Sequence, residues 1–160
     1  MPRSNAHPPR WLTQAEQRAW WALLEVGAGL FDVVTADLKE SCGLTLEDYE
    51  VLHLLSIADE RSLRVGALAD QMLTSRTRLT QRLDRLAERG LLSKQRCPED
   101  GRAVNVVLSD IGWKLLVEIA PGHVESVRTN VFEHLTDDDV EAIGTSLDKL
   151  AQHLHRTRNP

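Results

Sequence analysis

Between Val65 and Leu108 the spacing of the apolar residues changes from helical to extended, and this switch constrains the fold of the chain more than any other feature. Val65, Leu68, Ala69 and Met72 recur at helical steps, Thr74-Ser75 interrupts and can cap, and Leu79, Leu83 and Leu86 resume the helical step as far as Gly90. Beyond Gly90 the steps shorten to two, with Val104, Val106 and Leu108 on one face of an extended segment. The pattern predicts a short helix at 65–72, a tight break, a second helix at 76–89 ended by Gly90, and strands at 91–96 and 103–108. Cys97-Pro98-Glu99-Asp100-Gly101 supplies the turn formers between the strands. Two short helices across a tight break followed by a β-hairpin make a winged helix-turn-helix.

The flanking segments predict long helices. From Thr13 to about Glu40, Ala19, Trp20, Leu23, Val26, Leu30, Phe31, Val34 and Leu38 recur mostly at three- and four-residue steps. That helix is too long for a small monomer to bury its apolar stripe, so subunit association is its natural cover. Cys42-Gly43 ends it, and Thr45 with Asp48 forms a capping box that opens the next, whose inward residues are Leu46, Tyr49, Leu52 and Leu55. Ser109 caps a helix running from Asp110, kinked at Pro121-Gly122, to about Leu135, and Thr136-Asp137-Asp138-Asp139 opens the last. The expected organisation is one mainly α domain over 1–160. Residues 11–43 and 110–157 hold the long flanking helices, and 44–109 a winged helix-turn-helix lobe with a small β-hairpin wing. Residues 1–10 hold three of the six prolines and read as an arm.

Charge is segregated. The chain carries a net −5, yet 75–102 holds eight basic and four acidic residues, which makes that stretch +4 and leaves −9 for the remainder. Around the helix at 76–89, with Leu79 at zero, Leu83 and Leu86 lie at about +40° and −20°, while Arg78, Arg82, Arg85 and Arg89 lie at about −100°, −60°, −120° and −80°. Thr77, Thr80 and Gln81 occupy the far side with Asp84 and Glu88. Flanking arginines suit phosphates, and hydroxyl and amide groups suit base edges in the major groove. A merely solvated helix has no reason to prefer forked guanidinium donors to ammonium groups. Lys94, Arg96 and Arg102 bracket the hairpin turn, where they can enter a neighbouring minor groove. Asp100 either orients Arg102 or shapes the turn.

Three stretches within Leu44–Leu116 carry a family resemblance: Leu44-Thr45-Leu46-x-x-Tyr49-x-Val51-Leu52, the pair Leu68-Ala69, and Thr80-x-x-Leu83-Asp84-Arg85-Leu86-x-x-x-Gly90-Leu91. The wing adds Asp100-x-Arg102-x-x-x-Val106-x-Leu108-Ser109, followed by Gly112. On these residues the chain resembles the MarR family of bacterial regulators. The resemblance implies a homodimer, with 11–43 and 110–157 as dimerisation helices and 44–109 as the DNA-binding lobe, on a pseudo-palindromic double-stranded operator, in many members a repressor released by a small, often aromatic, effector. By position it implies DNA contacts from Ser75, Arg76, Thr77, Arg78, Thr80, Gln81, Arg82 and Arg102, with Arg85 shared between phosphate and internal pairing. Trp20 and Trp21 point about 100° apart, so one can pack at a dimer interface while the other lines an effector pocket; core packing of both is the alternative. Asp48 and His53 are candidate polar partners for such an effector.

Other classes find little support. No HExxH, Walker or Gly-x-Ser-x-Gly pattern occurs, so an enzyme is not expected, and the six scattered histidines match no zinc spacing. No cofactor is called for. The two cysteines, Cys42 and Cys97, read as free thiols in a reducing compartment; a redox-sensing regulator is one alternative, and a protein-interaction module that lost DNA binding is another. No apolar run approaches the roughly 20 residues of a membrane span, so a cytoplasmic protein without a membrane partner is expected.

Overall fold

A computed structural model describes residues 9–72, 74–96 and 103–158. The chain divides into two units, the first ending at Val33 and the second beginning at Val34. Helix α1 (Gln14–Cys42) starts in the first, and there Trp20, Trp21, Leu23, Val26 and Phe31 are all exposed. Thr13 opens it: its amide donates to Glu16 Oε2 at 2.7 Å, which together with the Thr13 hydroxyl holds the Glu16 carboxyl below the usual carboxylate range.

The second unit contains the end of α1, then α2 (Leu46–Ile57), β1 (Ser62–Arg64), α3 (Val65–Gln71), α4 (Arg76–Glu88), β2 (Leu92–Arg96), β3 (Val104–Leu108), α5 (Asp110–Asn130) and α6 (Asp137–Arg158). Helix α1 ends as the sequence predicts. Gly43 takes φ 69°, its amide bonds the Lys39 carbonyl at 3.0 Å, and Leu44 N reaches the Leu38 carbonyl at 3.4 Å while its side chain is buried. Helix α4 ends in the same way at Gly90, φ 70°, with Leu91 N on the Leu86 carbonyl. The Thr45/Asp48 capping box is formed, and Ser75 and Ser109 cap α4 and α5.

Strand β1 was not expected from the sequence. It pairs antiparallel with β3, Leu63 opposite Val106, and gives a sheet ordered β1-β3-β2 in which Leu92 faces Leu108 and Lys94 faces Val106. Its approach runs through Glu60 and Arg61, both left-handed at φ 52° and 53°, and the Arg61 guanidinium lies 4.4 Å over the Trp113 ring. Helix α5 is continuous through Pro121 and stops at Asn130, whose side-chain amide donates to the Ser126 carbonyl at 2.8 Å; the expected extension to Leu135 is a separate 3-10 turn, Phe132–His134.

The core joins Val51, Leu52 and Leu55 of α2, Leu68 and Ala69 of α3, Leu79, Leu83 and Leu86 of α4, and Val106 and Leu108 of β3. Each fully buried leucine contributes roughly 2 kcal/mol, so three of them fix which way α4 faces. Along α6, by contrast, Val140, Ile143, Leu147, Leu150 and Leu154 form an exposed apolar stripe.

Candidate nucleic-acid interface

Because Leu79, Leu83 and Leu86 point inward, the opposite side of α4 is presented to solvent: Ser75, Arg76, Thr77, Arg78, Thr80, Gln81 and Arg85 are all exposed. Ser75 Oγ accepts from the Arg78 amide at 3.3 Å, and the Thr80 hydroxyl donates to the Arg76 carbonyl at 2.8 Å, leaving its oxygen lone pairs as acceptors. Hydroxyl, amide and guanidinium groups thus line one accessible face, the mixture that reads base edges and holds phosphates.

The arginine stripe splits. Arg82, expected on DNA, is turned inward: its Nη1 donates to Thr45 Oγ1 at 2.8 Å and to Asp48 Oδ1 at 2.6 Å, and its Nη2 lies 3.4 Å from Glu47 Oε1. The side chains of Arg82 and Asp48 are only 18% and 10% exposed, which makes this a largely desolvated pair and not a surface one. Arg89 also turns back, donating to the Gly43 carbonyl at 3.0 Å and the Cys42 carbonyl at 2.9 Å. Arg85 is 62% exposed and lies 3.8 Å from Asp48 Oδ1, so it reaches both solvent and the internal acid. Among the described residues Arg78 makes no ion pair. The acids around Arg82 belong to the first turns of α2. There Glu50 is held above the usual carboxylate range by burial first and the charge of Glu47 second, with Arg82 pulling the other way.

On the wing, Lys94 is paired with Asp84 of α4, which ties β2 to α4, and Arg96 is exposed. A concavity of about 660 Å³ between α3, α4 and the strands is edged by Arg64, Arg76, Lys94 and Asp70. The expected wing-tip residues Asp100 and Arg102, and Cys97, lie outside the described residues.

The four residues proposed for an effector are divided between the two units. Asp48 and His53 are both on α2, but Asp48 faces Arg82, where one carboxylate oxygen closes the capping box and the other accepts from the guanidinium. Both carboxylate oxygens of Asp48 are thus engaged within the lobe. His53 is exposed and stacks on Tyr49 at 6.2 Å between centroids, and Trp20 and Trp21 lie in the first unit. Sequence reasoning missed His123. Its ring packs 4.2 Å from Tyr49, its buried Nδ1 has no hydrogen-bond partner, and it lines a cavity of about 370 Å³ with Asp37, Ser41, Glu118 and Ser126. Burial, and then the charge of His53, push its pKa down. Cys42 is half-buried and its thiol donates to the Leu38 carbonyl at 3.1 Å. Among the described residues no three His, Cys, Asp or Glu side chains are grouped to hold a metal.

One expectation about α1 needs correction. Its mean hydropathy over an 18-residue window reaches 1.3, so by length and composition it is apolar enough to cross a membrane, although no uninterrupted apolar run shows it. Glu25 and Asp32 nevertheless sit seven residues apart on one face, and a carboxylate at the centre of a bilayer costs about 3 kcal/mol. The stripe is that of an amphipathic helix.

A sequence model of the MarR family matches residues 43–103. Among solved structures, the chain is similar to Sco3205 from Streptomyces coelicolor, a MarR family transcriptional regulator in complex with DNA, at 32% identity and a TM-score of 0.88 over 92% of each chain. It is also similar to AbsC, a MarR family regulator from the same organism, at 34% identity and a TM-score of 0.85, covering 91% of this chain and 98% of that one. Among curated proteins, the HTH-type transcriptional repressor YetL of Bacillus subtilis is 25% identical over 159 residues, covering 92% of this chain and 95% of YetL.

Proposed function

Because this chain belongs to the MarR family of transcriptional regulators, we propose that it is a repressor that binds a pseudo-palindromic operator as a homodimer and leaves it when a small effector binds. The observation that carries the DNA reading is the face of α4: three buried leucines turn Thr77, Thr80, Gln81, Arg76 and Arg78 outward together. Dimerisation is supported by the exposed apolar stripes of α1 and α6, which a second copy would cover. Repression is supported by the likeness to YetL. Within this reading the wing, with Arg96 and Arg102, tracks the neighbouring minor groove, and the protein works in the cytoplasm, on the chromosome.

The cavity beside His123 is the effector site this reading favours among the described residues, since it is of ligand size and is lined by the polar side chains of Asp37, Ser41, Glu118, His123 and Ser126. The test begins by mapping the bound DNA across the genome and then compares operator retention in a gel. Arg78→Ala with Arg85→Ala should abolish retention while sedimentation still reports the dimer. Undiminished retention would refute the assignment of α4, and a stable monomer at micromolar concentration would refute the dimer.

A further inference from the structure

We infer that Arg82 and Arg89 are positioning residues, which clamp the recognition helix to the elbow between α1 and α2 and so set its orientation on DNA. The inference rests on the reading of α4 as the DNA-contacting helix. Arg82 and Arg89 are seven residues apart, so two helical turns place them on one side of α4. From there they hold opposite sides of the same bend. Arg89 places both prongs of its guanidinium on the carbonyls of Cys42 and Gly43, at 2.9 and 3.0 Å, where α1 ends and its dipole is negative. Arg82 takes the other side, where α2 begins, with Thr45 Oγ1 at 2.8 Å, Asp48 Oδ1 at 2.6 Å and Glu47 Oε1 at 3.4 Å.

The elbow itself is stiff. Gly43 is held left-handed by the helix ending, Leu44 is fully buried, and the Thr45 amide is tied to Asp48 Oδ2 at 3.0 Å. A rigid bend gripped at two points transmits its orientation to the helix that grips it. Any displacement of the end of α1 therefore re-aims Thr77, Thr80 and Gln81, without either arginine touching DNA.

The experiment compares wild type, Arg89→Gln, Arg89→Lys and Arg82→Gln, with Arg78→Ala as the phosphate-contact control. Two probes are used: a duplex selected from a random pool by the wild-type protein, and an unrelated duplex of equal length, each titrated over a range of salt. Positioning predicts that Arg89→Gln and Arg82→Gln lose about tenfold or more on the selected duplex, the worth of one base contact. Affinity for the unrelated duplex and the salt slope should stay unchanged. Arg89→Lys should fail with Arg89→Gln, because an ammonium keeps the charge but lacks the rigid planar fork that fixes the direction of two bonds at once. A slope smaller by about 0.9, with both affinities falling together, would make the residue a phosphate contact and overturn the inference. So would unchanged affinity for both duplexes, or wild-type behaviour of Arg89→Lys. Arg89 is exposed, so its variants keep the test decisive if Arg82→Gln does not fold. If the wild type selects no duplex at all, the reading of α4 falls first, and this inference with it.

Discussion

Removing Asp48 tests how the DNA-binding lobe is held together, because one carboxylate performs two tasks. Its Oδ2 accepts from the Thr45 amide and closes the cap of α2, while its Oδ1 accepts from Arg82 at 2.6 Å. Losing a cap costs about 1 kcal/mol, and losing a hydrogen bond to a charged group costs roughly 2 kcal/mol more. Asp48→Ala should therefore destabilise by about 3 kcal/mol. Arg82→Ala should cost about the same, since it leaves a carboxylate that is 10% exposed without its counter-ion. The shared bond is then counted in both single variants, so the double variant should cost only about 4 kcal/mol, a coupling of about 2 kcal/mol. Urea unfolding followed by circular dichroism measures all four proteins, at one fixed protomer concentration because the proposed dimerisation would add to apparent stability. A coupling below about 0.5 kcal/mol, the value of an exposed ion pair, would refute the claim that this pair is desolvated and structural.

Three further outcomes follow from particular atoms. A Cβ on Gly112 would lie 2.1 Å from the Leu91 carbonyl oxygen, so Gly112→Ala must displace backbone and should cost about 3 kcal/mol or more in the same assay; a change under about 1 kcal/mol would mean that α5 shifts freely. His123 has a folded pKa below its usual 6.5, so the neutral ring is the form folding favours: its contribution is intact above about pH 6.5 and is lost as the pH falls from there toward the folded value. Wild type should thus lose more stability than His123→Gln between neutral and mildly acidic buffer, and parallel losses would refute this. Arg78→Ala should lower affinity on every duplex alike and reduce the salt slope by about 0.9, which titration across salt measures directly; an unchanged slope would remove Arg78 from the phosphate contacts.

Local signals located the helices, their caps and both hairpin strands, because each is fixed by residues close in sequence: Gly43 and Gly90 by their left-handed φ, Thr45 with Asp48 by the capping box, Ser109 by its bond to Gly112. What depended on distant partners was not legible. Strand β1 is three residues long and exists because Leu63 finds Val106 across the sheet. The contact of His123 with Tyr49 carries no local pattern, since it joins α5 to α2. Asp48 looked available for a ligand because nothing near it in sequence announces Arg82.

The arginine stripe shows how narrow the margin was. Arg78 and Arg85 lie on average about 40° farther from the buried leucines than Arg82 and Arg89 do, and that difference separates the two that do not hydrogen-bond the elbow from the two that do. Sequence could rank the four by angle, but the direction of the elbow, which decides what the nearer pair meets, is a tertiary fact. The consequence reaches the electrostatics of binding. Counting all eight basic residues of 75–102 as phosphate contacts would predict a salt slope of about −7 per protomer. With Arg82 and Arg89 bonded to the elbow and Lys94 paired to Asp84, the described cations left to face phosphate from that stretch are Arg76, Arg78, Arg85 and Arg96. The slope they support is about −3.6, and Arg102 can raise its size by one further contact at most. A chain of net −5 presents a basic face, but part of its positive charge holds the reading helix in place and does not hold DNA.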